Sequence, residues 1–445
     1  MRPASYSPGA RPDGSWSAPV APGPIQAVVD VPGSKSLTNR ELVLAALADG
    51  PGTVRGPLHS DDSARMVDAL RVLGVGIEPL SDAGTFGPDL RVTPPDRLTS
   101  GGVIDCGQAG TVMRFIAPLT GLALGDTEVT AHESAQHRPM GEMIRALREI
   151  GVDIDDGGTW SLPFSVRGRG HVRGGEVTID ASASSQFVSG LLLAAARFDV
   201  GLHLVHAGGR LPSIPHIEMT VHALANRGVH VERPETGRWI VPAGHIRAKE
   251  VTIEPDLSNA APFLAAALVT GGEVTIDRWP AHSTQPGAQL PELLAEFGAR
   301  TIRRQGAVTV AGGDGMRGVD LDLSPVGELA PTLVGVALFA DSPSTFTGIG
   351  HIRGHETDRL AALVADIRAL GGEAEELPDG IRIVPRALRG GVWRAFHDHR
   401  LATTGALVGL AIPGVEVDDI GTTAKTMPEF PDLWRQMLES RGATA

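Results

Sequence analysis

The sequence predicts an α/β protein in which one small module of helices and strands is used six times. Six helix-like stretches each end at a glycine, in the pairs Leu73-Gly74, Ile150-Gly151, Arg227-Gly228, Phe297-Gly298, Leu370-Gly371 and Arg441-Gly442. These glycines lie about 70 to 77 residues apart, a period typical of a repeated supersecondary unit. Alternating apolar residues follow most of them, as in Val152-Asp153-Ile154, and this alternation predicts a strand. The order helix, glycine, strand is common in α/β proteins, so the evidence for a repeated module is the regular spacing of the six glycines.

Length, charge and cysteine content narrow the class of protein. A chain of 445 residues is long enough for two or three domains, each with its own core. The single cysteine, Cys106, excludes an intramolecular disulfide framework and a multi-cysteine metal site, and is typical of a reducing cytoplasm. A formal net charge of −13 argues against general binding to nucleic acid or to anionic lipid.

Residues 1–24 differ in composition from the rest of the chain. They are rich in Pro, Gly, Ser and Ala and contain no apolar run. Such a segment cannot act as a secretory signal or a membrane span, and it buries little apolar surface. We therefore expect a disordered tail.

Polar and cationic residues recur where predicted helices begin. Residues 25–31 alternate into a strand, a turn follows, and a helix from Lys35 to Leu47 places Lys35, Ser36 and Arg40 at one N-terminus. At the next opening, glycines flank Gln108-Ala109, and Arg114 follows. The other openings are His137-Arg138-Pro139, Ser184-Ser185-Gln186, Ser213-Ile214-Pro215-His216, Glu328, Glu356-Thr357-Asp358-Arg359, Asp398-His399-Arg400 and, closing the series, Lys425.

A helix N-terminus has unpaired N–H donors and a partial positive charge, so it favours an anion. Five cations lie in these openings or beside them: Lys35, Arg138, Arg359, Arg400 and Lys425. Together they would neutralise ligands that carry several negative charges. Each residue taken alone has an ordinary explanation, as a helix cap or a solvated charge. A nucleotide P-loop is excluded because residues 33–36 lack its glycine spacing and its Gly-Lys pair.

The openings form seven short motifs in a fixed order: Lys35-Ser36-x-x-x-Arg40, Gly107-x-Ala109-Gly110-Thr111-x-x-Arg114, Arg138-Pro139, Ser184-Ser185-Gln186, Glu356-Thr357-Asp358-Arg359, Asp398-His399-Arg400 and Ala424-Lys425-Thr426. In this order they resemble the 5-enolpyruvylshikimate-3-phosphate (EPSP) synthase family, from about residue 25 to the C-terminus. The resemblance implies a two-lobed inverse α/β barrel of six βαβαββ repeats, with the active site in the cleft between the lobes. Residues 25–34 and 255–445 would form lobe 1 and residues 35–254 lobe 2, with crossings near Ser34 and Ile253-Glu254.

The same resemblance implies an activity. Members of the family transfer the enolpyruvyl group of phosphoenolpyruvate to the 5-hydroxyl of shikimate 3-phosphate. The reaction proceeds by addition and elimination through a tetrahedral intermediate and releases phosphate. It implies no metal and no organic cofactor, two small-molecule substrates, no nucleic acid or membrane partner, and a cytoplasmic monomer. Because Gly110 is kept, the resemblance also implies sensitivity to the herbicide glyphosate.

Site residues carry over from the family position by position. Shikimate 3-phosphate would be held by Lys35, Ser36, Arg40, Ser184, Ser185, Gln186, Ser213, Glu328 and His355. Phosphoenolpyruvate would be held by Lys35, Gly110, Arg138, Gln186, Arg359, Arg400 and Lys425. The catalytic set would be Glu328, Glu356, Lys35 and Lys425, with Glu328 as the base for the 5-hydroxyl. Either Glu356 or Lys425 would protonate the methylene carbon.

Five positions depart from common family patterns: Glu328 stands where many members have Asp, Gln108 where Asn is frequent, Phe115 where Pro is frequent, His216 where Tyr is frequent, and His355 where Lys is frequent. An unperturbed imidazole has a pKa of about 6.5, so it loses its positive charge around that pH. The sequence alone therefore suggests that the affinity for shikimate 3-phosphate weakens as pH rises through that region.

Three other functions compete with this interpretation. The sister enolpyruvyl transferase that acts on UDP-N-acetylglucosamine usually has a reactive cysteine in a mobile loop, but residues 132–140 contain none. RNA 3′-phosphate cyclase is built from related modules, but this chain is acidic and lacks a basic-aromatic strip. A non-catalytic anion-binding protein would explain the cations but not Glu328 and Glu356 among them.

Overall fold

The computed structural model describes residue 11 and residues 14–313 and 315–440. Its helices are α1 (Lys35–Ala46), α2 (Asp61–Val72), α3 (Gly110–Leu122), α4 (Glu133–Gln136), α5 (Gly141–Glu149), α6 (Gln186–Ala195), α7 (Ile214–Asn226), α8 (Ala261–Thr270), α9 (Leu290–Glu296), α10 (Ala330–Ala337), α11 (Arg359–Ala369), α12 (His399–Gly409) and α13 (Phe430–Glu439). Short 3-10 helices span Pro286–Gln289, Gly327–Leu329, Gly350–Gly354 and Ile420–Lys425.

Its strands are β1 (Trp16–Ser17), β2 (Gln26–Val29), β3 (Gly52–Arg55), β4 (Gly76–Gly84), β5 (Gly87–Thr93), β6 (Val103–Asp105), β7 (Leu124–Thr130), β8 (Asp153–Asp155), β9 (Phe164–Arg169), β10 (Gly175–Ile179), β11 (Leu202–His206), β12 (Arg238–Val241), β13 (Glu250–Thr252), β14 (Glu273–Asp277), β15 (Arg300–Arg304), β16 (Ala307–Ala311), β17 (Asp320–Asp322), β18 (Ser344–Thr347), β19 (Glu373–Leu377), β20 (Gly380–Val384), β21 (Gly391–Trp393) and β22 (Val415–Val417).

The chain divides into two compact units. Gly33–Glu254 form one, here called the central unit, and the described residues before and after it form the terminal unit. The division points lie next to the lobe boundaries expected from the sequence. In the central unit the Ser34 N–H donates to the Glu254 carbonyl, and in the terminal unit the Asp256 N–H donates to the Pro32 carbonyl, both at 2.8 Å.

Each unit contains three sheets of one pattern, in which a parallel pair of strands is extended by antiparallel strands. The central unit has the orders β13-β3-β5-β4, β6-β7-β9-β8 and β10-β11-β12. The terminal unit has β15-β16-β14-β2, β17-β18-β20-β19 and β1-β22-β21. Strands β2 and β13 each pair within one unit while the helix that follows, α1 or α8, belongs to the other. The sixfold module is therefore confirmed.

Three helices in each unit are buried on nearly all sides. In the central unit α1, α3 and α6 pack against one another, and in the terminal unit α8, α10 and α12 do the same. Residues on all sides of these helices are buried, which is typical of a helix enclosed by other elements. Strands such as β9 and β14 alternate buried and exposed residues, so the sheets lie outside the helices.

Glycine ends the outer helices as the sequence predicts. Gly74, Gly151, Gly228, Gly298 and Gly371 have φ between 82° and 109°, a left-handed conformation that other residues adopt only with strain. In the first of these turns the Val75 N–H reaches back to the Leu70 carbonyl at 3.1 Å, as in a Schellman motif. The sixth glycine, Gly442, lies outside the described residues.

The strand expected after Gly228 is reduced to one bridge, in which Glu232 and Ile240 exchange two backbone hydrogen bonds of 2.9 Å. Pro234 follows two residues later and has no N–H with which to extend the ladder.

The prediction of a disordered tail over residues 1–24 is wrong for its described part, residue 11 and residues 14–24. Strand β1 pairs with β22, and Trp16 is only 6% exposed. Ala21 donates its N–H to the Leu410 carbonyl at 3.0 Å. A composition argument misses this order because the edge of an existing sheet supplies the hydrogen bonds. Residues 1–10, 12 and 13 lie outside the described residues. No helix within the described ranges is long and apolar enough to cross a membrane.

Candidate active site

The first cluster of predicted site residues lies where α1, α3 and α6 of the central unit begin. Ser34 caps α1 by accepting the Leu37 N–H at 3.5 Å. Lys35, the first residue of α1, places its Nζ 3.2 Å from Asp62, which lies on α2. The Asp62 side chain is almost fully buried, so this ion pair holds the Lys35 ammonium in place. Lys35 and Ser36 are both half-buried.

Arg40 lies one turn further along α1 and is only 1% exposed. Its guanidinium donates to the Ser36 carbonyl at 2.9 Å, the Thr220 hydroxyl at 2.8 Å, the Ser189 hydroxyl at 3.3 Å and the His216 carbonyl at 2.9 Å. These bonds tie α1 to α6 and α7. The structure thus gives Arg40 a role in holding three helix starts together, and its predicted ligand contact stays a prediction.

Gly110 opens α3 at a point where three polar side chains converge. A Cβ at this position would lie 3.0 Å from Arg114 Nη1, 3.4 Å from Gln186 Oε1 and 3.6 Å from Arg138 Nη1. Arg138 also donates to the Gln108 carbonyl at 2.9 Å. Only glycine leaves space here, so a small anion can approach two guanidinium groups and the start of a helix.

The serines predicted to hold shikimate 3-phosphate lie at two other helix starts in the same unit. Ser185 is buried and precedes α6, while the Ser184 hydroxyl accepts the Gln186 N–H at 3.2 Å. Ser213 precedes α7 with φ of 52°, a strained left-handed conformation for a non-glycine residue. Strain of this kind is found where the surrounding structure fixes a residue for binding.

The second cluster lies in the terminal unit and centres on Arg359, which begins α11 and is 2% exposed. It donates to both oxygens of Asp398, at 2.7 and 3.2 Å, to Glu356 at 2.8 Å and to His355 Nδ1 at 2.9 Å. Burial alone would lower the pKa of the Arg359 guanidinium, but the carboxylates of Asp398 and Glu356 outweigh it and raise the pKa above its usual value. Arg359 is therefore a permanent cation.

Glu356 links that arginine to Lys425, because the Lys425 ammonium donates to the second Glu356 oxygen. Both side chains are largely buried. Lys425 ends the 3-10 helix Ile420–Lys425 instead of opening an α-helix. A carboxylate held between two cations is favoured in its ionised form, so the three side chains make a charged and hydrogen-bonded chain.

Glu328 lies in the 3-10 helix Gly327–Leu329, just before α10. The Ser258 hydroxyl donates to one of its oxygens, and Arg400 Nη2 lies 4.0 Å from the other. Arg400 in turn donates its Nη1 to the Ser258 carbonyl at 3.3 Å, and its backbone N–H to Asp398 at 2.8 Å. A carboxylate beside a guanidinium and a hydroxyl suits the acceptance of a proton from a bound hydroxyl.

The predicted site residues thus fall into two clusters, one in each unit, and sequence reasoning missed some of their supports. Asp62 and Ser258 carry no signal in the sequence, because each touches its partner only after folding. Asp398 stood in a recognised motif, and its position before a helix allowed a cap, but not its bidentate contact with Arg359. No group of three or more His, Cys, Asp or Glu in the described part of the chain could hold a metal ion.

The chain matches the family model of EPSP synthase (3-phosphoshikimate 1-carboxyvinyltransferase) over residues 20–434. It belongs to this family. It is 53% identical to a 3-phosphoshikimate 1-carboxyvinyltransferase of Kocuria rhizophila, over 97% of this chain and 98% of that protein.

Two solved structures support the fold. An EPSP synthase from Acinetobacter baumannii superposes with a TM-score of 0.77 at 23% identity, over 94% of this chain and 97% of that chain. The enolpyruvyl transferase NikO from Streptomyces tendae gives 0.74 at 17% identity, over 94% and 96%. The chain therefore has the two-lobed inverse α/β barrel fold of these enzymes.

Membership of the family gives the reaction. The chain is an enzyme of the shikimate pathway that transfers the enolpyruvyl group of phosphoenolpyruvate to the 5-hydroxyl of shikimate 3-phosphate. Membership of the family excludes the three competing functions. The state of Cys106 agrees with excluding the enzyme that acts on UDP-N-acetylglucosamine, which usually has a reactive cysteine. Burial raises the pKa of the Cys106 thiol to about 12, so a nucleophilic thiolate does not form there.

Proposed function

We propose that the two clusters act on one pair of ligands. Shikimate 3-phosphate binds mainly to the central unit, through Lys35, Ser36, Arg40, Ser184, Ser185, Gln186 and Ser213, with Glu328 and His355 contributed by the terminal unit. The observation that carries this proposal is the chain Lys425–Glu356–Arg359 in the terminal unit. A buried cation that donates to a carboxylate is a group from which a proton can be moved.

Phosphoenolpyruvate carries a phosphate and a carboxylate, and each suits the fork of an arginine. We assign its binding to Lys35, Gly110, Arg138, Gln186, Arg359, Arg400 and Lys425. Lys35 and Gln186 then face both substrates. The cations offset the repulsion between two anions held side by side, and fixing two reactants in this way removes about 7–11 kcal/mol of barrier in favourable cases.

The chemistry follows from where the carboxylates lie. Glu328 accepts the proton of the 5-hydroxyl as its oxygen attacks the enol carbon. The methylene carbon gains a proton from the Lys425–Glu356 pair, which gives the tetrahedral intermediate. Elimination then reverses the second transfer, because a methyl proton returns to this pair while phosphate leaves among the arginines. Each positioned proton transfer contributes about 10² to 10⁴-fold in rate.

The proposal includes closure of the lobes on substrate binding, because water in the cleft would weaken each charge contact. We also propose that the protein is a cytoplasmic monomer. A single chain supplies both clusters, and the lone cysteine agrees with a reducing compartment. Small-angle scattering with both substrates should show compaction relative to the free protein, and no change in size would count against closure.

Phosphate release tests the function directly. Purified protein is mixed with phosphoenolpyruvate and either shikimate 3-phosphate or UDP-N-acetylglucosamine. We expect stoichiometric phosphate release with shikimate 3-phosphate and background with the nucleotide sugar. Release with the nucleotide sugar, or with neither acceptor, would overturn the proposal.

A further inference from the structure

The contact between His355 and Arg359 fixes the state of the histidine. Arg359 Nη1 lies 2.9 Å from His355 Nδ1, at hydrogen-bond distance. A guanidinium has N–H donors and no acceptor, so Nδ1 must accept. A ring nitrogen that accepts a hydrogen bond carries no proton. The proton of the imidazole is therefore on Nε2, and the ring is neutral.

Arg359 cannot turn away from the histidine to release Nδ1. Its Nε and Nη2 are held by both oxygens of Asp398, and Nη2 also donates to Glu356. The side chain is buried, and its pKa is raised, so it keeps both its charge and its protons. A second proton on His355 would have to enter between Nδ1 and this cation.

The other neighbours of His355 in the terminal unit also fix the ring. The ring of His351 meets it edge to face, with centroids 5.9 Å apart and planes at 70°. His351 in turn packs on Gly327, where a Cβ would lie 2.6 Å from its Nε2, next to Glu328.

The charged groups around His355 have partners of their own. Arg353, on the same 3-10 turn, is paired with Asp358 and Glu376. Glu356 is held by Lys425 and Arg359. These carboxylates therefore meet cations, and Arg359 is a cation at hydrogen-bond distance from the imidazole.

We infer that His355 is a neutral hydrogen-bond donor that presents Nε2–H to shikimate 3-phosphate, with Arg359 as the residue that sets its tautomer. This inference rests on the proposed function. It reverses the expectation drawn from the sequence, because a neutral donor has no charge to lose as pH rises. Where family members carry Lys at this position, the ligand meets a cation; here it meets a dipole of fixed direction.

Calorimetric binding of shikimate 3-phosphate between pH 7.0 and 8.5 tests the charge state. This window lies above the second phosphate pKa of about 6, so the ligand keeps its charge throughout. We expect the dissociation constant to change by less than about twofold. An imidazolium with a pKa below this window would already be lost at pH 7, so a second measurement is needed to read the tautomer.

Long-range ¹H–¹⁵N correlation spectra supply that measurement. The chain has 15 histidines, and the His355 signals are those lost in His355→Gln. We expect one protonated and one unprotonated ring nitrogen, with Nδ1 unprotonated, unchanged from pH 6 to 8.5. Two protonated nitrogens at pH 6, or a proton on Nδ1, would overturn the inference.

Two variants separate the donor from the charge. Gln at position 355 offers a neutral donor and acceptor, whereas Leu offers neither. We expect His355→Gln to bind shikimate 3-phosphate within about threefold of the parent and His355→Leu about tenfold more weakly. His282→Gln, an exposed histidine of the same unit, is the matched control and should bind as the parent does.

The outcomes distinguish this inference from the proposed function. If phosphate release with shikimate 3-phosphate is absent, the function itself fails. If release is normal but affinity falls about tenfold per pH unit, or Gln is as weak as Leu, the ring acts as a cation and the inference fails alone. Parental binding by His355→Leu would show that the ring does not touch the ligand.

Discussion

The two clusters hold their cations in different ways. In the central unit, Arg40 and Arg138 donate to hydroxyl groups and backbone carbonyls. In the terminal unit, Arg359 and Lys425 both donate to Glu356. Neutral acceptors position a guanidinium without cancelling its charge, whereas a carboxylate cancels it.

The difference separates binding from proton transfer. A guanidinium held by neutral acceptors keeps its attraction for an anionic ligand. A cation that donates to a carboxylate attracts an anion less strongly but belongs to a pair that can exchange a proton. We therefore expect changes at central arginines such as Arg138 to appear mainly in substrate affinity, and a change at Glu356, which links Arg359 to Lys425, to appear mainly in turnover.

Glu356→Gln should give the largest effect, because it keeps the shape of the side chain and removes its charge. Single-turnover phosphate release should slow by about 10² to 10⁴-fold. Binding of shikimate 3-phosphate should stay within a few-fold. Glu292→Gln, which breaks an exposed pair with Arg303, is the matched control and should be neutral. A loss confined to substrate affinity would break the distinction between the clusters.

Buried acids also differ between the units. Asp366 on α11 is 2% exposed, and its Oδ2 has no hydrogen-bond partner among the described residues. Burial, with a smaller contribution from Asp418, raises the pKa of Asp366 to about 7, although a backbone hydrogen bond from Arg394 and the charge of that residue oppose the shift. In the central unit burial also raises the pKa of Glu41, and the opposing cation is the buried Arg227, which forms an ion pair with the carboxylate.

Asp366→Asn should therefore stabilise the protein, and more so at high pH. The unfolded carboxyl has a pKa near about 3.9, so the folded state loses stability as pH rises from about 4 to about 7 and is level above that. The gain from Asn should approach about 4 kcal/mol at pH 8, as an upper value, and shrink towards pH 5. Calorimetric melting at the two pH values measures it.

Glu41→Gln is the contrasting variant, because it leaves Arg227 buried without its carboxylate. It should destabilise the protein by about 3–5 kcal/mol at both pH values. Equal responses of the two variants to pH would show that the partner cation does not matter.

Arg138→Gln tests the central cluster and should raise the KM for phosphoenolpyruvate about 10- to 100-fold, the value of a charge-assisted hydrogen bond. Turnover at saturating substrate should change much less. Arg167→Gln, an exposed arginine of β9 whose Nη1 lies 3.9 Å from Asp153, should leave both constants near the parent values. A fall in turnover with an unchanged KM would contradict the assignment of Arg138 to binding.

Gly110→Ala should give the smallest effect. The new methyl group would press on Arg114 and narrow the space beside Gln186, so the KM for phosphoenolpyruvate should rise by up to about tenfold, with inhibition by glyphosate weakened in parallel. Folding should be unharmed, since Gly110 begins a helix. Gly101→Ala, where a Cβ would meet nothing within 4 Å, is the control. Unchanged kinetics would mean that the ligand does not enter this space.

Much of the fold could be predicted from the sequence, because helix ends and turns depend on residues close together in the chain. Glycine at the end of a helix adopts a left-handed turn whatever surrounds it, so Gly74, Gly151 and Gly371 marked the modules correctly. The tail failed as a prediction because Trp16 is ordered by β22, about 400 residues away, and not by its neighbours. Glu328, Arg359 and Arg400 were selected as site residues by order and motif, yet the hydroxyl of Ser258 and both oxygens of Asp398 that hold them could not be predicted.

The sequence by itself determined the repeated module, the buried helices and the kinds of side chain that stand where helices begin, because periodicity and turn chemistry act over a few residues. Only the tertiary structure decided which of those side chains touch. That choice set the direction of the proton on His355, gave Glu356 its two cations and left the Oδ2 of Asp366 buried without a hydrogen-bond partner among the described residues, because electrostatic interactions depend on distance in space and on burial.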